Sequence, residues 1–127
     1  MNLFLLAIIE ACKEAFSAIE TLPEEARIEA INAIRLELRK FSPLAAEPID
    51  CVLWVKAERV HANDYNPNSV APPEMRLLEH SISEDGYTQP IVTWQEDDNK
   101  NNYDVVDGYH RNRVGREVPA LRSRIRG

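Results

Sequence analysis

Seven residues, Ser42-Pro43-Leu44-Ala45-Ala46-Glu47-Pro48, divide this chain into two halves that obey different periodicities. Two prolines in so short a stretch end the helix before them and bias the backbone toward extended conformations. Upstream, Leu5, Ile9, Cys12, Phe16 and Ile19 step by 4, 3, 4 and 3. That spacing predicts a helix over Asn2 to Leu22 with one apolar face. Thr21-Leu22-Pro23-Glu24 reads as a restart, in which Thr21 caps, Glu24 reaches back and proline occupies the first turn. A second helix is expected from about Leu22 to Phe41, with Ile31, Ile34, Leu38 and Phe41 on its apolar side. Together they form an α-hairpin. Its stripes either bury each other or offer a dimer or partner surface, since two helices alone make a thin core.

Downstream the element types alternate. Cys51 to Val55 is an apolar strand candidate, and His61 to Val70 a polar loop containing Asn66-Pro67-Asn68. Pro72-Pro73-Glu74 opens a helix with Met75, Leu78 and Ile82 on one face, and Gly86 ends it. Pro90 to Trp94 and Tyr103 to Asp107 are further strands, separated by a hydrophilic turn from Glu96 to Asn102. After Gly108 an arginine-rich segment reads as helix to about Gly115. Trp54 and Trp94 fall on strand candidates and are expected in the core. The pattern predicts an α+β chain, with an N-terminal α-hairpin over 1–47 and a small sheet with helices over 48–127.

Several classes fall away. The longest apolar run, Leu3 to Ile9, stops at Glu10, far short of the roughly 18 residues of a membrane span. No basic residue precedes it, so a secretory signal is not expected. Cys12 and Cys51 match no zinc or redox spacing, and a thiol on an apolar stripe suits a reducing cytoplasm. The net charge of −6 hides an asymmetry: residues 1–108 carry −11, whereas 109–127 carry six arginines against one glutamate. An acidic body argues against a broad DNA-coating surface, while the arginine tail can still engage phosphate.

The stretch richest in chemistry is Val105-Val106-Asp107-Gly108-Tyr109-His110-Arg111-Asn112-Arg113. An apolar strand ends in Asp-Gly and turns into a segment bearing His and Arg. Glycine permits close backbone approach, and N–H groups at a helix start point toward an anion. Arg111 can add a bidentate phosphate contact, and His110 a hydrogen bond or a proton. Asp107 can hold a metal, orient His110 or accept from a ribose hydroxyl. The alternative is a tight turn with a surface ion pair.

A second stretch, Gly86-Tyr87-Thr88-Gln89-Pro90, precedes a strand. With the Asn66-Pro67-Asn68 loop before it and Gly108-Tyr109-His110-Arg111 after it, the order resembles the ParB/sulfiredoxin superfamily over roughly Val52 to Gly115. The first stretch is similar to the first nucleotide-contacting motif of ParB N-terminal domains, and the second to their phosphate-gripping Gly-x-x-Arg. The Asp-Gly-Tyr-His-Arg version resembles small ParB-like proteins of the IbrB type, co-activators of gene expression found with mobile elements and prophages.

The resemblance implies a nucleotide-binding regulatory module. Gly86, Thr88, Gln89 and Pro90 would shape the base or ribose side. Gly108, Tyr109, His110 and Arg111 would hold the triphosphate of CTP or ATP with Mg²⁺, and Asp107 would assist the metal. Nucleotide binding would then close a dimer, as a homodimer or with another protein, with DNA reached directly or through a partner. Sulfiredoxins carry a catalytic cysteine where this chain has Tyr109, and a phenol does not replace a thiolate. The helix-turn-helix of partition proteins is not found. A further strand usual after the arginine-rich helix is also missing, which suggests a chain cut short or a partner that completes the sheet.

Enzyme readings stay open beside the switch. A ParB-like nuclease would use Asp107, His110 and Arg111 on a phosphodiester. In related kinases of free serine a glutamate near the Asn-rich loop acts as base, a role Glu58 could fill if it is not simply a solvated carboxylate. Asp64 and Glu74 also flank that loop. Arg113, Arg116 and Arg122, with Arg124 and Arg126, could line nucleic acid or mark a solvated helix end. His61, His80 and His110 lack metal-ligand spacing. A third reading is a pure interaction module built on the α-hairpin.

Overall fold

A computed structural model describes residues 2–62, 72–95 and 102–124. The chain forms two compact units, Met1–Trp54 and Val55–Gly127. The loop at Asn66-Pro67-Asn68, Asp64, Arg126 and nearly all of the expected turn from Glu96 to Asn102 lie outside the described residues.

The first unit holds two helices, α1 (Leu3–Ser17) and α2 (Glu24–Arg39), joined by a 3₁₀ turn at Ala18–Thr21. Asn2 caps α1, its Oδ1 accepting from the Phe4 amide at 2.8 Å. The restart differs from the expected capping box. Pro23 is the N-cap residue of α2 and makes no side-chain cap bond. The Thr21 hydroxyl instead donates backward to the Ala18 carbonyl at 2.6 Å. Arg27 holds the turn by donating to the Leu22 and Glu20 carbonyls, both at 2.8 Å.

Cys51 to Val55 is not a strand. Its apolar residues suit one, but the backbone of Val52 and Trp54 bonds to side chains of α2. Asn32 donates to the Trp54 carbonyl at 2.7 Å and accepts from the Trp54 amide at 3.0 Å. Arg35 donates to the Val52 carbonyl at 2.9 Å. The amide side chain thus pairs with one residue as a neighbouring strand would. Trp54 stays 49% exposed and is no core residue.

The described residues of the second unit are built on three strands in the order β1 (Val60–Ala62), β3 (Tyr103–Asp107), β2 (Val92–Trp94). The central β3 runs parallel to β1 and antiparallel to β2. Val105 on β3 is fully buried. Val92 pairs with Asp107 and Thr93 with Val105, so Val106 is the extra residue of a bulge. It stands 54% exposed. A bulge bends its strand and sharpens the twist, here one residue before Asp107. Trp94, 58% exposed, also departs from the expected core position.

Among the described residues three α-helices complete the unit: α3 (Pro72–Asp85), α4 (Tyr109–Glu117) and α5 (Pro119–Arg124). Ile82, Val114 and Leu121, one from each, form the core, with Met75, Leu78, Tyr87 and Val118 packed on it. Burying such a side chain contributes about 1.5–3 kcal/mol. The α+β architecture expected from the sequence is the one observed: a helical pair, then a small mixed sheet with helices.

Candidate functional site

Both glycines singled out in the sequence have left-handed backbone, Gly86 at φ +74° and Gly108 at φ +94°. They serve different ends. Gly86 terminates α3, its amide donating to the Ile82 carbonyl at 2.8 Å. Arg124 of α5 covers the same helix end, donating to the Ser83 carbonyl at 2.7 Å and the Ile82 carbonyl at 3.4 Å. A cation suits the negative end of a helix, so Arg124 acts here as a cap.

Gly108 is the N-cap of α4 and supplies no side-chain acceptor to that helix's first turn. Its carbonyl accepts from the Asn112 amide at 3.0 Å, while the amides before Asn112 face the helix start. The Arg111 guanidinium folds back over this turn: a Cβ on Gly108 would meet Nη2 at 2.7 Å. Nη2 donates to the Pro90 carbonyl at 3.2 Å and lies 3.9 Å from Asp107 Oδ2. In the reverse direction the Tyr87 hydroxyl donates to the Arg111 carbonyl at 3.0 Å. The two separated motifs are therefore joined by reciprocal bonds, with Arg111 as the hinge of both.

The electrostatics favour an anion. A guanidinium beside a helix N-terminus adds positive charge to the positive end of the helix dipole. Asp107 balances it poorly, since its carboxylate is 76% exposed and 3.9 Å away. Arg111 Nε and His110 Nδ1 are buried without a hydrogen-bond partner, as is Nδ2 of the buried Asn112. The His110 ring is held edge-on against Tyr109, with centroids 5.4 Å apart. Burial pushes the Tyr87 hydroxyl above the usual tyrosine range, and the Arg111 charge pulls partly the other way.

Other residues singled out in the sequence are distributed as follows. Thr88, Gln89 and Pro90 are exposed on the segment between Gly86 and β2. Glu58 is exposed just before β1, whose Val60 pairs in parallel with Tyr103. Glu58 thus sits toward the end of the sheet where β3 begins, whereas Asp107 and Gly108 follow the end where β3 stops. Arg113 pairs with Glu117 at 3.0 Å along α4, and Arg122 reaches the Arg116 carbonyl at 3.5 Å. Among the described residues no three His, Cys, Asp or Glu side chains cluster to hold a metal. No described helix is long and apolar enough to cross a membrane.

Sequence reasoning quoted Tyr87 and Asn112 within its two motifs but gave neither a role of its own, and it missed the capping role of Arg124. Tyr87 carried a usable signal: an aromatic with a polar tip directly after a helix-ending glycine is well placed to pack on a core and bond outward.

A ParB N-terminal domain model matches residues 45–124 of the chain. The chain is also 50% identical over 109 residues to the Escherichia coli K12 protein described as uncharacterized protein YbdM. That alignment covers 86% of this chain and 51% of the relative, so the chain spans about half the relative's length. No solved structure matches.

Proposed function

Since the chain belongs to the ParB N-terminal domain family, we propose that it is a nucleotide-binding regulatory module that grips phosphate at the Gly108–Arg111 turn. The observation carrying this reading is the position of Arg111, which lies over the side-chain-free Gly108 while bonded to Pro90 of the other motif. The donors there suit phosphate oxygens. They are the first-turn amides of α4, the Arg111 guanidinium with its unpartnered Nε, and His110 Nδ1 in its protonated tautomer. Gln89 and Pro90 would border the base or ribose.

A nucleoside triphosphate such as CTP or ATP is the proposed ligand. Mg²⁺ accompanying it would rest mainly on phosphate oxygens, as this ion does where proteins supply one or two carboxylates. Asp107 is the carboxylate adjoining the turn and would be that ligand. The ion would supply neutralisation of phosphate charge, and the residues of this chain would bind and orient. By its likeness to IbrB-type proteins, the module would act in gene expression or another DNA-linked process of mobile elements. With Glu58 at the far end of β3 and Asp107 the one carboxylate adjoining the turn among the described residues, a binding role is better supported than kinase or nuclease chemistry.

The test is thermal unfolding with Mg²⁺ and each of CTP, ATP, GTP and UTP, on the protein and on Arg111→Ala. A ligand at about a hundred times its Kd stabilises by roughly 2.7 kcal/mol, which moves Tm by several degrees in a domain of this size. A shift with one nucleotide, lost in the variant, is expected. No shift with any nucleotide overturns the reading.

A further inference from the structure

Trp94 stands on the open side of the sheet. Thr93 pairs with Val105, which is fully buried, so these two face the core. Alternation turns their neighbours Trp94 and Asp104 to the other face. There Asp104 pairs with Trp94 on one side and with His61 on the other, which sets one row across all three strands. Trp94 is 58% exposed, and His61 is exposed with its Nε2 engaged by Asn102 Oδ1 at 3.2 Å. Directly paired residues hold their Cβ atoms about 5 Å apart, so the Asp104 carboxyl and the indole share one patch.

The next row on this face pairs Val92 with Asp107, two residues and about 7 Å along β2. The extra residue Val106 keeps Asp107 outward despite its three-residue step from Asp104, and Val106 and Asp107 are both exposed. Asp107 Oδ2 lies 3.9 Å from Arg111 Nη2. The face thus leads from the Trp94 row to the Gly108 turn.

We propose that the base of the nucleotide stacks on Trp94 and donates an amino hydrogen to Asp104, so that the ligand carries an amino-bearing base, cytosine or adenine. This rests on the phosphate reading of the Gly108 turn and adds the selection of the base to it. The first support is hydrogen-bonding character. The turn presents donors, whereas an ionised carboxylate only accepts. A ligand that spans both ends needs acceptors at one and a donor at the other. A nucleoside triphosphate with an amino-bearing base has that polarity, while an oxo group in the amino position sets acceptor against acceptor.

The second support is the indole itself. A tryptophan this exposed on a sheet offers a flat face on which a base can stack. An apolar protein surface laid over the same row would bury the Asp104 carboxylate without a partner, which is costly. The third is spacing. One row separates Trp94 from the residue that meets Arg111, which leaves the ribose between base and phosphates, beside Gln89 and Pro90.

Calorimetric titration of the full chain with Mg²⁺ and tripolyphosphate, CTP, UTP, ATP or ITP tests this. UTP and ITP carry an oxo group where CTP and ATP carry the amino group. One amino nucleotide is expected to bind about tenfold tighter than its oxo partner. Asp104→Asn, whose amide both donates and accepts, should remove most of that preference. Trp94→Leu should weaken the nucleotide about tenfold and leave tripolyphosphate unchanged, which a folding defect would not do. The chain has two tryptophans, so Trp54→Phe leaves Trp94 as the reporter. Its emission should be quenched by the nucleotide and not by tripolyphosphate. Equal affinity for amino and oxo partners, or a nucleotide bound as tightly by Trp94→Leu, overturns the inference and leaves the phosphate reading standing. Failure of tripolyphosphate and every nucleotide to bind overturns both.

Discussion

The Arg111 guanidinium rests against Gly108 so closely that Nη2 lies 2.7 Å from where a Cβ would stand. Glycine is needed here twice, for the φ of +94° and for this approach. Gly108→Ala is expected to cost about 1–3 kcal/mol from backbone strain alone and to push Arg111 off the turn. Thermal unfolding should show a Tm lower by several degrees and no nucleotide-dependent rise. An unchanged Tm would mean the turn can relax, and would remove the reason for glycine at this position.

Tyr87→Phe keeps the ring in the core and removes the bond to the Arg111 carbonyl. A loss of about 0.5–1.5 kcal/mol is expected. The pH dependence separates this residue from others. Burial raises the hydroxyl pKa in the folded protein above its ordinary 10.0. The folded state therefore holds that proton more tightly than the unfolded state. The contribution is complete below about pH 10 and fades as pH rises through the raised folded value. Urea unfolding from pH 8 to 11 should show this fall in the protein and less of it in Tyr87→Phe. Parallel curves would assign the alkaline loss to other groups.

The sequence made local features legible and long-range bonds illegible. The strand Tyr103–Asp107, the proline-opened α3 and its ending at Gly86 follow from apolar spacing and from residues adjacent in the chain. Val60–Ala62 escaped because three residues are too few to establish a strand period, and His61 reads as the start of the polar loop that follows. Cys51 to Val55 misled for the opposite reason: its composition suits a strand, but Asn32, 22 residues away, takes both backbone groups of Trp54. At the candidate site the glycines and Arg111 stood out. The Tyr87 bond spans 24 residues and the Arg124 cap 41, distances over which one sequence shows no pattern.

Asn32→Leu tests that unexpected anchor. Leucine fits the helix but bonds neither the Trp54 amide nor its carbonyl. Both bonds are exposed, so water takes up part of the loss and the pair is expected to contribute about 1–2 kcal/mol locally. Hydrogen exchange at the Trp54 amide should accelerate at least tenfold, with β3 amides unaffected because they belong to the other unit. Equal exchange at Trp54 in both proteins would show that the segment is held by something other than Asn32.

Arg124→Leu asks whether the arginine tail is structure or nucleic-acid surface. Its guanidinium donates to two carbonyls at the end of α3, a helix that supplies the core residue Ile82. Bonds from a charged donor to such carbonyls stabilise by about 1.5–3 kcal/mol, partly offset here by exposure to water. Denaturant unfolding should therefore show a destabilisation of about 1–2 kcal/mol. The nucleotide-dependent rise in Tm should persist, since the two bonds removed are to α3 carbonyls. The opposite pattern, unchanged stability with weaker salt-sensitive retention on DNA, would place Arg124 on a phosphate-facing surface with Arg116 and Arg122.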